Sequence, residues 1–239
     1  MALLGFNATE GPAQIEFSRQ SSSGQSLMSG PFAFAASDIF LVVDVQNDFC
    51  PGGLFPVPDG GEVIAPINRL AWQFENVVLT QDWHPPRHSS FASSHADRNP
   101  FEAIETSYGQ QTLWPDHCVQ GTRGAELHPA LAIPHAVLIV RKGFRRNIDS
   151  YSAFFENDRK TPTGLAGYLR ERGLTRVFLA GLSLDFCVRY SAEDAKRLGF
   201  AVAIFEDACR PFGVAGSLDE ARRSIAEHGI SLIQTDEVS

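Results

Sequence analysis

The sequence predicts an α/β fold: a three-layer, doubly wound, mainly parallel sheet with helices on both faces. Two observations predict it. From Asp38 onward, apolar runs alternate with stretches of helical spacing, the pattern of parallel strands joined by helices. Polar residues able to do chemistry fall at the carboxyl ends of those runs, where such sheets bind ligands.

Taken in order, Ile39 to Val43 is the first strand, and Asp44 ends it. Val63, Ile67, Leu70 and Phe74 recur at helical spacing and predict a helix over Glu62 to Phe74. Asn76 to Thr80 is the second strand, followed by Asp82 and His84; Ala136 to Val140 is the third, followed by Lys142. Leu165 to Arg172 reads as a short helix closed by Gly173. Arg176 to Ala180 is the fourth strand. After it, Val188, Ala192, Ala195 and Gly199 recur at helical spacing, so Cys187 falls where a strand turns into a helix. Phe200 to Phe205 is a fifth strand, Ser217 to His228 the last helix, and Ile230 to Ile233 a sixth, edge strand. The stretch from Asp82 to Pro134 has no clear periodicity and holds five of the seven histidines. A loop that long inside a compact domain is usually functional.

Composition narrows the partners. The chain has 239 residues, 44% of them hydrophobic, and a formal charge of -8. Nucleic acid and anionic membrane both call for a basic face and are not expected as obligatory partners. No run is long enough to span a membrane, and the start lacks the basic n-region and apolar core of a secretory signal. Cys50, Cys118, Cys187 and Cys209 match neither a zinc ribbon nor a redox pair. Reduced thiols and a cytoplasmic location are the expectation. Residues 1–37, with the polar run Gln20 to Ser26, read as a flexible tail or a start placed upstream of Met28. Residues 38–239 read as one domain. The sequence does not fix whether identical subunits associate.

Two constellations and a pair of rings carry chemistry. The free N–H groups and the dipole at a helix start favour a thiolate at Cys187. Asp44 is a candidate base, with a pKa raised by burial. Lys142 is a candidate cation to hold both charges. In Asp82-Trp83-His84, alternation along an extended segment puts the acid and the imidazole on one side. His117, far along the chain, completes a three-ligand set that suits zinc, iron or manganese and leaves positions open. His88 is an added or supporting ligand candidate, whereas His95, His128, His135 and His228 read as surface or hydrogen-bonded residues. Phe49 and Trp114 lie near the same strand ends, and two aromatic faces suit a flat ring. No glycine-rich phosphate loop follows any strand.

Five stretches, in order, resemble the signatures of nicotinamidases in the isochorismatase-like cysteine hydrolase superfamily. They are Asp44-Val45-Gln46-Asn47-Asp48-Phe49-Cys50-Pro51-Gly52-Gly53, Gln81 to Pro85, Trp114 to Thr122, Arg141-Lys142-Gly143, and Gly181-Leu182-Ser183-Leu184-Asp185-Phe186-Cys187-Val188. The resemblance implies a nucleophile at Cys187, an acid/base at Asp44 and a third triad member at Lys142. It also implies one divalent metal, zinc first and iron or manganese next, on Asp82, His84 and His117. Phe49 and Trp114 would flank the substrate ring. The N–H groups of Ser183 and Cys187 would form an oxyanion hole, helped by a cis bond between Leu182 and Ser183. The implied reaction is hydrolysis of nicotinamide, and of the similarly shaped pyrazinamide, to the acid and ammonia. The chain departs from the family in having Ser183-Leu184 where Ala-Thr is frequent. Three rivals stand beside this reading: an amidase for carbamoyl or ureido compounds, whose members generally lack the metal set; a metal-bound water as nucleophile; and a non-catalytic binding protein of the same fold.

Overall fold

The computed structural model describes residues 34–238. Up to residue 33, the expected tail lies outside the described residues. Residues 34–37 lie against the domain: Phe34 packs on Phe74 and Phe178, and the Ser37 carbonyl accepts from Thr175 N–H at 3.0 Å.

Eight strands and four helices follow. The strands are β1 (Asp38–Val43), β2 (Asn76–Asp82), β3 (Ala103–Thr106), β4 (Gly109–Thr112), β5 (Leu138–Lys142), β6 (Arg176–Leu182), β7 (Ala201–Arg210) and β8 (Ser231–Ile233). The helices are α1 (Ile64–Ala71), α2 (Leu165–Glu171), α3 (Arg189–Arg197) and α4 (Ser217–Glu227). Six strands form one sheet in the order β5-β2-β1-β6-β7-β8, and every neighbouring pair is parallel. The predicted α/β architecture is therefore the observed one. β8 sits at the edge, as expected.

Successive side chains of a strand point to opposite faces. All six residues of β1 are buried, so both faces of the sheet are covered. On one face Phe40 and Phe178 meet Phe74, which follows α1. Helix α3 packs on β6 and β7, and α4 packs on α3.

Boundaries shift for local reasons. Helix α1 is shorter than its apolar spacing suggested. A 3₁₀ turn (Gly60–Val63) precedes it. Pro66 sits in its first turn, where the missing N–H costs no helical bond. Past Ala71 the chain tightens into i→i+3 bonds from Gln73 and Phe74 N–H groups. β5 begins at Leu138 because Ala136 N–H is taken by Ile133 in a turn. Lys142 is thus the last residue of the strand. β7 runs five residues beyond Phe205, through a register shift opposite Leu179 and Gly181. The 82–134 stretch contains the antiparallel hairpin β3–β4; its exposed, polar strands hide it from an apolar pattern.

The chain builds β1, β2 and β5 outward on one side, then returns to lay β6 on the other side of β1. The reversal places a crevice at the carboxyl ends of β1 and β6. Backbone contact there is tight. Val43 and Gly181 are register partners, and a Cβ on Gly181 would lie 2.1 Å from the Val43 carbonyl oxygen.

Candidate active site

Four strand ends deliver the charged groups. Asp44, just past β1, adopts a left-handed backbone, φ 49°, and is fully buried. Thr80 on β2 fixes it twice: its hydroxyl donates to Asp44 Oδ1 at 2.5 Å and accepts from Asp44 N–H at 3.0 Å. Asp82 ends β2, and its register partner is Lys142 at the end of β5. Gln46 clamps the Asp82 backbone, donating to its carbonyl and accepting from its N–H, both at 2.8 Å.

Lys142 is a buried ammonium among acids. Nζ donates to Asp82 Oδ1 at 2.5 Å, to the Ser150 carbonyl at 3.0 Å and to Cys187 Sγ at 3.5 Å. Asp44 Oδ2 lies 2.8 Å from Nζ as well, so four acceptors surround an ammonium with three hydrogens. The Asp44 carboxylate sits in the cation's field, which works against its raised pKa. Asp44, Asp82 and Cys187 place ligand atoms within 4.8 Å of one another. The three expected groups thus meet at one point.

The charge states follow from burial and these neighbours. Burial raises the Asp44 carboxyl above its ordinary value; Lys142 opposes this and Asp82 adds to it. Burial alone would lower Lys142, but Asp44 and Asp82 hold it well above its usual range. Asp82 goes the other way: burial would raise it, and Lys142 and His84 pull it well below.

Cys187 qualifies one expectation. It lies inside a single π-helical turn (Leu184–Val188) ahead of α3, and burial pushes its thiol well up, with Lys142 only partly opposing. Burial thus works against the helix start and favours the thiol, which calls for the base that Asp44 was expected to supply. Sγ remains reachable, the residue being 8% exposed. The Leu182–Ser183 peptide is cis.

Asp82, His84 and His117 form the second group, with ligand atoms within 4.8 Å. Each imidazole turns Nε2 toward Asp82 Oδ2, at 3.6 Å from His84 and 3.7 Å from His117. Each Nδ1 is held by a backbone carbonyl, His84 by Gly143 at 2.9 Å and His117 by Pro115 at 2.7 Å. Donation of Nδ1–H to a carbonyl leaves Nε2 as the lone-pair nitrogen, the arrangement that orients metal-binding histidines. Asp82 meanwhile gives Oδ1 to Lys142 and keeps Oδ2. The three residues fit a divalent cation. His88 is packed against His84, ring centroids 4.5 Å apart, but both its nitrogens are used: Nδ1 faces Ser90 Oγ at 2.7 Å, Nε2 the Arg145 carbonyl at 2.8 Å. It supports the His84 ring from behind.

Above the thiol lies a small pocket. Phe49 and Trp114 line it, as expected, with Phe55, Phe186, Phe212 and Tyr151. Phe55 and Phe212 stack at 4.4 Å. The wall is tied down by polar residues the sequence reading missed. Tyr151 hydroxyl accepts from Trp114 Nε1 at 3.2 Å and from Gln111 Nε2 at 3.0 Å. Asp149 accepts from Gln111 at 2.8 Å and stands 3.9 Å from His84 Nε2. Asp48, beside Phe49, accepts the N–H groups of Leu54 at 3.1 Å and Cys118 at 2.7 Å. Asp48 and Phe186 lie inside two of the five stretches quoted above. Phe55, Thr80 and Phe212 carried no pattern of their own.

With this geometry in hand, the chain can be compared with known proteins. The family model for the isochorismatase domain matches residues 38–237. The chain belongs to the isochorismatase family. Among isochorismatase-family relatives, the nicotinamidase of Acinetobacter baylyi is 52% identical over 195 residues, covering 82% of this chain and 91% of that protein. The solved nicotinamidase/pyrazinamidase of Acinetobacter baumannii superposes with a TM-score of 0.85 at 51% identity, over 86% of this chain and 99% of that one. The pyrazinamidase of Pyrococcus horikoshii, solved in complex with zinc, gives a TM-score of 0.69 at 32% identity, over 83% and 99%.

Proposed function

We propose that this isochorismatase-family protein is a nicotinamidase, hydrolysing the carboxamide of nicotinamide to nicotinate and ammonia through a thioester on Cys187. The observation that carries the reading is the Lys142 ammonium, in reach of Asp44, Asp82 and Cys187 Sγ at the foot of an aromatic pocket. The identity to nicotinamidases supports the substrate.

The steps follow from the atoms. Asp44, raised in pKa by burial and placed beside the sulfur, takes the thiol proton. Lys142 steadies the thiolate as it attacks the amide carbon. N–H groups of Ser183 and Cys187 receive the oxyanion, a contribution typically of about 3–4 kcal/mol per donor. Asp44 returns its proton to the departing nitrogen, and ammonia leaves. Asp44 then takes a proton from water as the hydroxide opens the thioester and gives it to the departing Cys187 sulfur, and the nicotinic acid released loses its own proton to solvent as nicotinate. Phe49 and Trp114 hold the ring.

Asp82, His84 and His117 are the residues that would hold one divalent ion, and we propose zinc on their mixed nitrogen and oxygen donors. Such an ion supplies a Lewis-acid contact for a ring nitrogen. Pyrazinamide, which keeps the ring nitrogen and the amide, is the expected second substrate. Among the described residues no helix is long and apolar enough to cross a membrane. Four unpaired, buried cysteines support a reducing, cytoplasmic setting.

Ammonia release from nicotinamide by the purified protein tests the reading. Cys187→Ala should lower it by about a thousandfold or more. Turnover near the unsubstituted level in that variant eliminates the covalent route, and no turnover by the unsubstituted, metal-loaded protein eliminates the activity.

A further inference from the structure

One buried carboxylate near the thiol has no part in the chemistry above. Asp185 lies two residues before Cys187, in the same π-helical turn, and is 1% exposed. Its oxygens reach forward across the crevice to the segment between β7 and α4. Oδ1 accepts from Phe212 N–H at 2.9 Å; Oδ2 accepts from Gly213 N–H at 2.9 Å and from the Ser217 hydroxyl at 2.5 Å. Among the described residues no lysine or arginine pairs with it. All its partners lie on one short segment.

That segment needs a tie. Residues 211–216 form no helix or strand, and Gly213, Ala215 and Gly216 all have positive φ. Its one large apolar side chain is Phe212, which pairs with four other pocket rings: Phe49, Phe55, Trp114 and Phe186. The Phe212 ring therefore touches wall rings from three other segments of the chain. Its backbone is held by the turn that carries the nucleophile.

We propose that Asp185 is a positioning residue that sets the distance between the Cys187 turn and the Phe212 ring, and so gives the enzyme its preference for planar aromatic amides. The proposal rests on the nicotinamidase reading. A charged acceptor with three donors is a strong, geometry-specific tie. An amide side chain in its place keeps the shape but loses one acceptor oxygen and puts an N–H₂ against backbone donors. Loss of the tie frees the ring without touching Asp44, Lys142 or the metal ligands.

The test uses the full-length, metal-loaded protein with nicotinamide as substrate. For Asp185→Asn the expected result is a KM about tenfold higher with kcat within about threefold, the split that marks lost binding. Alkylation of Cys187 by iodoacetamide, which presents no ring, should stay within about twofold of the unsubstituted rate. In a Phe212→Ala background, Asp185→Asn should add no further rise in KM, because both changes remove the same contact. Ser217→Ala deletes a single donor and guards against loss of folding; it should raise KM by about twofold to threefold. An unchanged KM in both Asp185→Asn and Ser217→Ala overturns the proposal. So does an additive effect with Phe212→Ala, or a fall in alkylation that matches the fall in turnover. Absence of turnover in the unsubstituted protein strikes the nicotinamidase reading instead, which keeps the two failures apart.

Discussion

The floor of the pocket and its wall are built by different means. On the floor, Asp44, Asp82, Lys142 and Cys187 stand at or just past the ends of β1, β2, β5 and β6. Parallel ladders set their spacing, and Asp82 and Lys142 are direct register partners. In the wall, Phe49, Phe55, Trp114 and Phe212 come from turns and connecting segments. Those segments are tied by side chains such as Asp48, Gln111, Tyr151 and Asp185 rather than by the sheet. The floor is set by the parallel sheet; the wall is held by local backbone hydrogen bonds and by polar side chains that reach over to it. Changes to the floor should therefore remove turnover, and changes to the wall should alter which amides are accepted.

The largest effect expected is at Lys142. Lys142→Ala leaves Asp44 and Asp82 buried without their cation, the situation that costs about 3–5 kcal/mol in stability. A lowered urea midpoint together with lost ammonia release is the expected outcome. Retention of both would break the picture of a floor held by one ammonium. Metal removal comes next. Stripping by a chelator should lower nicotinamide turnover by about tenfold to a hundredfold, with recovery on adding zinc and metal content tracking activity. Full activity at no bound metal would remove the cation from the account.

The wall should answer more mildly. Trp114→Ala should raise KM for nicotinamide by about tenfold and leave kcat within about threefold, measured by initial rates. A collapse of kcat with KM unchanged would assign Trp114 to the floor. The smallest expected effect is on the pH profile. Asp44 must be a carboxylate to take the thiol proton, and burial raises it above the ordinary 3.8. As pH falls through that raised value, kcat/KM drops, so the acid limb should lie above the usual carboxylate range. A limb at or below 3.8 would give the proton transfer to another group.

The same contrast explains what could be read from the chain. Asp44, Asp82, His84, Lys142 and Cys187 were legible because each follows a short apolar run, and strand ends of a parallel sheet converge by topology. His117 and Trp114 were harder to read, since nothing periodic surrounds them: His117 stood out as a third donor for Asp82 and His84, and Trp114 by its nearness to His117 in the chain. Thr80 was hidden inside a strand, where its hydroxyl looks like ordinary β-branched packing. Phe55 and Phe212 were hidden because a phenylalanine between turns shows no periodic pattern, and apart from the Phe49–Phe55 pair their ring partners are tens of residues away. At Cys187 the helix start and the burial pull in opposite directions. Sequence shows the helix that follows, but not the depth of burial that opposes it. The β3–β4 hairpin was missed because exposed polar strands leave no apolar stripe.

Gly181 lines neither the aromatic pocket nor the candidate metal site, yet its backbone meets that of Val43 so closely that any side chain would collide. Asp44 and Cys187 follow the two strands joined there. A randomised library screened for turnover should thus return glycine at 181 almost invariably, at a position that a map of ligand contacts would leave blank.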